Sequence, residues 1–292
     1  MEKNALLTNL LRKAADDGLP RLTVAIGCRN SGLDPVACAP ELYNYNDPAG
    51  PNPPNAIQLS TVLLIAWGGI ITSPILTSAL QNVPAYTPAQ ITAAVTNQYT
   101  LNFLANYTQP LQNKLAAIAL YQGNLVTISS GESVTYLIIS CLPGDYTPSP
   151  GSMIAALASV GVVVGQLAQN MAANYLGNYH CWISQSISNQ PFNRLMVLEA
   201  TASTTVGWIP GLFTALQTFA TAQAQPNITV ASAMLSTGSA GADPSQVLTA
   251  LFTGAKTLMN VPAVSLYACK LVNYNASWNT TLINTFNSLK NA

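Results

Sequence analysis

From Pro48 to Ala292 the chain carries nine charged side chains: Lys114, Glu132, Asp145, Arg194, Glu199, Asp243, Lys256, Lys270 and Lys290. The rest are crowded at the front: Glu2, Lys3, Arg12, Lys13, Asp16, Asp17 and Arg21, then Arg29, Asp34, Glu41 and Asp47. An ordinary soluble surface stays dispersed through interspersed charge and a net charge away from zero. This one has 7% charged residues and a formal net charge of zero. Its polarity rests on Asn, Gln, Ser, Thr and Tyr, with 26 Asn in all. Such a surface is covered by copies of itself, meets lipid, or works in an acidic medium where few carboxylates are left to protonate. Intrinsic disorder is excluded, because 49% of the chain is hydrophobic and disorder needs low hydrophobicity with high charge. Ten Lys plus Arg are too few for counterion-releasing contact with nucleic acid, so none is expected to bind directly.

The first 17 residues, MEKNALLTNLLRKAADD, place Leu6, Leu7, Leu10, Leu11 and Ala14 on one helical face. Gly18 and Pro20 end that helix. A basic start, an apolar run and a small-residue cleavage site are lacking, so no cleavable signal peptide is expected. Arg21–Ile26 (RLTVAI) reads as a short strand. Gly27–Asn55, with its PAGPNPPN run, reads as a loop long for a compact domain, and Tyr43 and Tyr45 give it aromatic contacts for wrapping a neighbour. The division expected is an amphipathic arm over 1–19, an extended Pro/Asn/Gly-rich loop over 20–55 and one body over 56–292. Cys28 and Cys38 bracket part of the loop, and a local disulfide fits that spacing. Cys141, Cys181 and Cys269 lie in apolar, strand-like sequence and read as free buried thiols.

In the body, Thr87-Pro88 starts a helix expected to run to about Tyr107, and Pro110 a second one ending near Gly123. Leu125–Leu142 is rich in β-branched residues and reads as a hairpin turning at Ser130-Gly131. Ser152–Leu176 reads as one long apolar helix, His180–Ser188 as a strand, and Pro210–Ala222 as a helix. Asp243 caps a helix over Pro244–Met259. A strand over Val264–Val272 and a helix over Thr280–Leu289 close the chain. The fold class expected is a helix-rich α+β protein with a few short strands. Ala56–Leu76 has no charge, and Met153–Ala168 carries Gly161 and Gly165 at GxxxG spacing. Both are near the length of a membrane span but lack flanking Lys or Arg.

No catalytic, cofactor or metal motif stands out. His180 is the only His, and its neighbour Cys181 would point to the opposite face of a strand. Gly238–Gly241 (GSAG) reads as a linker-like turn. A hidden enzyme site would need Glu132, Asp145, Glu199 and His180 around one pocket. With one His and dispersed acids, no metal is expected.

The composition of the body resembles that of low-charge virion and surface-filament proteins of thermoacidophilic archaea. The resemblance covers most of the chain, is compositional, and carries no functional residue over. What it implies is a self-assembling structural subunit of a capsid, tail or extracellular filament, not an enzyme, with no cofactor, whose partner is itself. The arm (Leu6, Leu7, Leu10, Leu11) and the loop (Tyr43, Tyr45) would reach the neighbour, in a virion or extracellular assembly. The alternative reading is a membrane-inserting or pore-type protein using 56–76 and 153–168.

Overall fold

A computed structural model describes residues 2–111, 114–128, 132–225, 228–261 and 266–291. The chain forms two compact units. The first holds residues 1–100 with 109–115 and 129–132; the second holds 101–108, 116–128 and 133–292.

The first unit is helical: α1 (Glu2–Asp16), α2 (Arg21–Asn30), α3 (Pro35–Asn44), α4 (Ala56–Trp67), α5 (Ser73–Gln81) and α6 (Pro88–Gln98). Local chemistry sets the starts. The Asp34 carboxylate accepts the Val36 N–H at 2.7 Å, with Pro35 in the first turn. Asn55 with Gln58, and Thr87 with Gln90, form reciprocal capping boxes, each satisfying two otherwise orphaned N–H groups. Leu42, Leu59, Leu63, Leu76 and Leu80 lie fully buried between these helices.

Residues 20–55, expected as an extended loop, thus carry two helices, and RLTVAI is the first half of α2 rather than a strand. The reason is nonlocal. Arg21 is 2% exposed, and its Nε donates to Leu42 O at 2.8 Å. Nη1 donates to Asp47 Oδ2 and Pro51 O, both at 3.2 Å. Nη2 donates to Tyr45 O and Asn52 Oδ1, both at 2.7 Å. All five guanidinium donors are used, so one side chain ties α2 to the end of α3 and to the Pro-rich turn beyond it.

The arm residues pack within this unit. Leu7 and Ala14 are buried, Leu10 and Leu11 are partly buried against the same core, and Leu6 faces outward at 41% exposure. Tyr45 is buried and donates its hydroxyl to Leu19 O at 2.6 Å. Tyr43 meets the ring of Tyr86 edge-on, with centroids 5.4 Å apart. The apolar stretch Ala56–Leu76 is broken into α4, a 3-10 turn at Gly68–Ile70 and the start of α5. Among the described residues no helix is long and apolar enough to cross a membrane.

The second unit is α/β. Its strands are β1 (Asn102–Leu111) up to residue 108, β2 (Lys114–Gln122) from residue 116, β3 (Val134–Cys141), β4 (Met171–Tyr175), β5 (Cys181–Ser184), β6 (Phe192–Glu199), β7 (Ile228–Ala233) and β8 (Leu266–Asn273). They form one mixed sheet in the order β1-β2-β8-β7-β3-β6-β5-β4. The run β2-β8-β7-β3-β6 is parallel, and β5 and β4 continue it antiparallel. Parallel neighbours require crossovers. Here α10 (Ala202–Ala222) links β6 to β7 and α11 (Pro244–Met259) links β7 to β8. Helices α7 (Met153–Ser159), α8 (Val164–Gln169) and α9 (Leu176–Tyr179), with β4 and β5, lie between β3 and β6. Helix α12 (Asn279–Lys290) ends the chain.

An eight-stranded sheet corrects the expectation of a few short strands. The segment Lys114–Gln122, expected as helix, is strand β2, and Asn102–Leu111 is strand β1 where α6 was expected to continue. The hairpin expected over 125–142 is instead a 3-10 turn (Leu125–Thr127) followed by the central strand β3; its proposed turn at Ser130-Gly131 lies outside the described residues. The single helix expected over 152–176 is broken at Gly161, whose φ is +84°, into α7 and α8.

Candidate functional site

Strands β3 and β7 are neighbours, yet the chain leaves them in opposite directions: from β3 toward β6, and from β7 through α11 to β8. In open parallel sheets the crevice that such a reversal leaves at the carboxyl ends of the strands is where ligands bind. Three loops and one strand end meet this edge.

The first loop, Ser236–Ala242 (STGSAGA), follows β7 and enters α11. Ser236 has φ +56°, and its N–H donates to Ser140 Oγ at the end of β3 at 2.8 Å. The Thr205 hydroxyl donates to Ser236 Oγ at 2.7 Å, and Ala242 N–H closes the loop onto Ser236 O at 2.9 Å. Gly241, at φ +78°, turns the chain toward the helix. The N–H groups of Gly238, Ser239 and Ala240 meet no acceptor among the described residues. Consecutive free N–H groups in such a turn make a small anion-binding concavity. The helix start itself is occupied: the Asp243 carboxylate accepts the Gln246 N–H at 2.9 Å.

The loop after β3 is held by Glu199, the last residue of β6, which is 8% exposed. One carboxylate oxygen accepts the Gly144 N–H at 2.8 Å and the other accepts the Tyr146 hydroxyl. Burial, and then the Glu199 carboxylate, push the Tyr146 phenol well above its ordinary value. Its ring also meets Trp182 edge-on at 5.9 Å. Asp145, exposed on the same loop, is held below the usual carboxylate range by the backbone N–H and then the hydroxyl of Thr147.

Strand β8 ends at Asn273, which is fully buried. Its amide donates to Asn275 O at 2.6 Å and to Asn279 Oδ1 at 3.0 Å, and its carbonyl accepts the Asn275 N–H at 3.0 Å. This knot leaves Tyr274 60% exposed, with Trp278 6.2 Å away edge-on. The third loop contributes His180. It sits at φ +54°, stacks on Trp208 at 3.6 Å, and its carbonyl accepts the Glu199 N–H at 2.8 Å.

Of the four groups a hidden enzyme site would need, Asp145, Glu199 and His180 therefore share this edge. Glu132 belongs to the first unit, where it accepts the Thr100 N–H and hydroxyl, both at 2.8 Å. Asp145, Glu199 and Asp243, the acids of the second unit, all lie at the carboxyl ends of the strands. Arg194 and Lys256 lie on the first half of β6 and the last turn of α11, toward the opposite edge. No group of three metal-ligating side chains occurs among the described residues. Cys28 and Cys38, the proposed disulfide, are both buried free thiols. The Ser236–Ala242 loop was missed as a site because its residues are those of any surface turn. The signal was its place between a β-branched run (ITVASA) and the Asp243-Pro244 helix start.

No family model matches the chain, and no curated protein does. Among solved structures it is similar to an Oceanobacillus iheyensis macrodomain with ADP, at 10% identity and a TM-score of 0.45 over 63% of this chain and 96% of that one. The same protein with MES bound gives 11% identity, a TM-score of 0.47, and 63% and 97% coverage. A Trypanosoma brucei macrodomain in complex with ADP-ribose gives 11%, 0.45, and 58% and 68%. These neighbours are macrodomains, several of them solved with nucleotide ligands. That overturns the expectation of a virion or filament subunit akin to those of thermoacidophilic archaea. The expectations drawn from that resemblance, of a chain that is not an enzyme and of itself as the partner, fall with it. The spans of the membrane-inserting alternative, 56–76 and 153–168, are broken into short helices, and among the described residues no helix is long and apolar enough to cross a membrane. At this level of likeness no ligand or activity passes from them to this chain.

Proposed function

We propose that the second unit binds a small nucleotide-type ligand at the carboxyl edge of its parallel strands. The observation that carries this is the Ser236–Ala242 loop, with three free N–H groups, placed at the topological switch point between β3 and β7. Its N–H groups suit a phosphate. The acids at the same edge repel a bare anion, yet carboxylates and Asn carbonyls accept hydrogen bonds from sugar hydroxyls. A ligand that joins a phosphate to a ribose satisfies both demands. The exposed Tyr274 ring offers a face for a base.

Isothermal titration calorimetry with ADP, ADP-ribose and inorganic phosphate tests the reading. Saturable binding of at least one nucleotide and none of phosphate is expected. Gly238→Glu is the matching variant, because a Cβ there meets nothing within 4 Å, so the fold is kept while a carboxylate enters the loop. It should weaken binding at least about tenfold, the scale of one lost charge-assisted contact. No nucleotide binding at millimolar concentration, or binding unchanged in a folded Gly238→Glu, would overturn the assignment.

A further inference from the structure

We infer that one short segment, Glu199 to Thr205, clamps both walls of the crevice from behind, with Glu199 and Thr205 as its positioning residues. The inference rests on the nucleotide reading of that crevice and adds what holds it in shape. The segment joins the end of β6 to the first turn of α10. At its start the Glu199 carboxylate accepts the Gly144 N–H at 2.8 Å and the Tyr146 hydroxyl. The Ala200 N–H donates to Cys141 O at 2.9 Å. These bonds fix the turn that follows β3. At the other end of the segment the Thr205 hydroxyl is bonded to Ser236 Oγ at 2.7 Å, in the loop that follows β7. The loops on both sides of the switch point are thus tied to one stretch of chain.

Thr205 is 0% exposed, and the other buried residues of α10 are apolar. A buried hydroxyl costs free energy unless it is hydrogen-bonded. Its bond to Thr201 O in the same helix, at 2.7 Å, meets that need by itself. The contact across to the loop is therefore surplus to the helix. Its use lies in Ser236, whose φ of +56° is a conformation that residues other than glycine rarely hold unless their surroundings impose it. Three bonds impose it here. The Ser236 N–H donates to Ser140 Oγ at 2.8 Å, its carbonyl accepts the Ala242 N–H at 2.9 Å, and its side chain meets Thr205. Ser236 opens the loop, so its backbone angle sets where the free N–H groups of Gly238, Ser239 and Ala240 point. Loss of the Thr205 bond lets Ser236 relax toward negative φ and turns those groups away from a common anion.

The test reads amide hydrogen exchange, residue by residue and by NMR, in the full ligand-free chain. In Thr205→Val the Ser236 and Ala242 amides should exchange about tenfold faster than in the wild type, the scale of one lost hydrogen bond. Amides within β3 and β7 should keep their rates, and Thr205→Ser should restore the wild-type pattern. Glu199→Gln leaves one carbonyl acceptor for two donors, so the Gly144 amide should quicken while Ser236 stays protected. Calorimetry with ADP-ribose should show binding weakened about tenfold in Thr205→Val and normal in Thr205→Ser. Unchanged Ser236 and Ala242 exchange in Thr205→Val, or an unchanged Gly144 amide in Glu199→Gln, overturns the clamp. So does equal acceleration in β3 and β7, which marks a residue that only stabilises the fold, or a Thr205→Ser that behaves as Thr205→Val. Undiminished ADP-ribose affinity in a Thr205→Val whose loop exchanges faster overturns the positioning role. A wild type that binds no nucleotide while the exchange results hold overturns the nucleotide reading instead and leaves the clamp standing.

Discussion

Replacing Arg21 with Met asks how much of the first unit depends on one buried cation. Met keeps the length and the apolar stem and removes five donors. The acceptors left behind are Leu42 O, Tyr45 O, Pro51 O, Asn52 Oδ1 and Asp47 Oδ2. Added naively at about 1.5 kcal/mol or more per charge-assisted bond, the loss would exceed the stability of a whole domain. That sum is wrong, because taking the guanidinium out of water costs much of what the bonds return. Burial does lower the Arg21 pKa, with Asp47 acting against it. What Met exposes is the penalty of stranded acceptors, and breaking a buried charged pair costs about 3–5 kcal/mol. Asp47→Ala should cost less, about 1 kcal/mol, since four uncharged acceptors still hold the fork and Asp47 is 10% exposed at its side chain. Guanidinium unfolding followed by circular dichroism gives both values, and a fall in midpoint at constant slope identifies a true stability change. A loss below about 1 kcal/mol for Arg21→Met, or equal losses for the two variants, would refute the claim that this residue organises the 45–55 turn.

Two further outcomes follow from the second unit. Burial pushes the thiols of Cys141, Cys181 and Cys269 from the usual 9.0 up to about 12. A thiol kept neutral by the fold favours it fully below 9.0, and that contribution is lost as pH climbs toward 12; unfolding midpoints should fall over this window, and Cys269→Ala should flatten the fall. In α11, a Cβ on Gly254 would lie 2.2 Å from Phe213 Cδ2, and Phe213 is 4% exposed. Gly254→Ala should therefore destabilise by about 1–3 kcal/mol, reversing the usual helical gain of Ala over Gly, and Phe213→Leu should recover part of the loss in the same melt.

Legibility in the sequence tracked how local the cause was. Asp243-Pro244 announced α11 because the cap and the Pro act within one turn. The same holds for Thr87-Pro88 and α6. Strand β2 was hidden. Its run from Ala116 to Tyr121 is buried throughout, and a strand buried on both faces loses the alternation that separates it from a helix. RLTVAI looked extended because its β-branched residues were visible, while the partners of Arg21 lie 21 to 31 residues away. The candidate site was the least legible part. Asp145, Glu199 and His180 could be named as groups worth watching. That they share an edge depends on strand order, and strand order is written in packing rather than in any one segment.

The placing of the acids has a kinetic consequence. A molecule with zero net charge is usually indifferent to salt, but here the second unit is polarised along its strands, with Asp145, Glu199 and Asp243 at one end. An anionic solute drifting toward that end meets repulsion before it meets the free N–H groups. At physiological ionic strength charges are screened beyond about 8 Å, so the barrier thins while the short-range contacts persist. Added salt should then quicken the encounter, the reverse of the steering seen in basic clefts. The scarcity of charge that first set this chain apart thus leaves a few acids to set the field that any anionic solute meets at that edge.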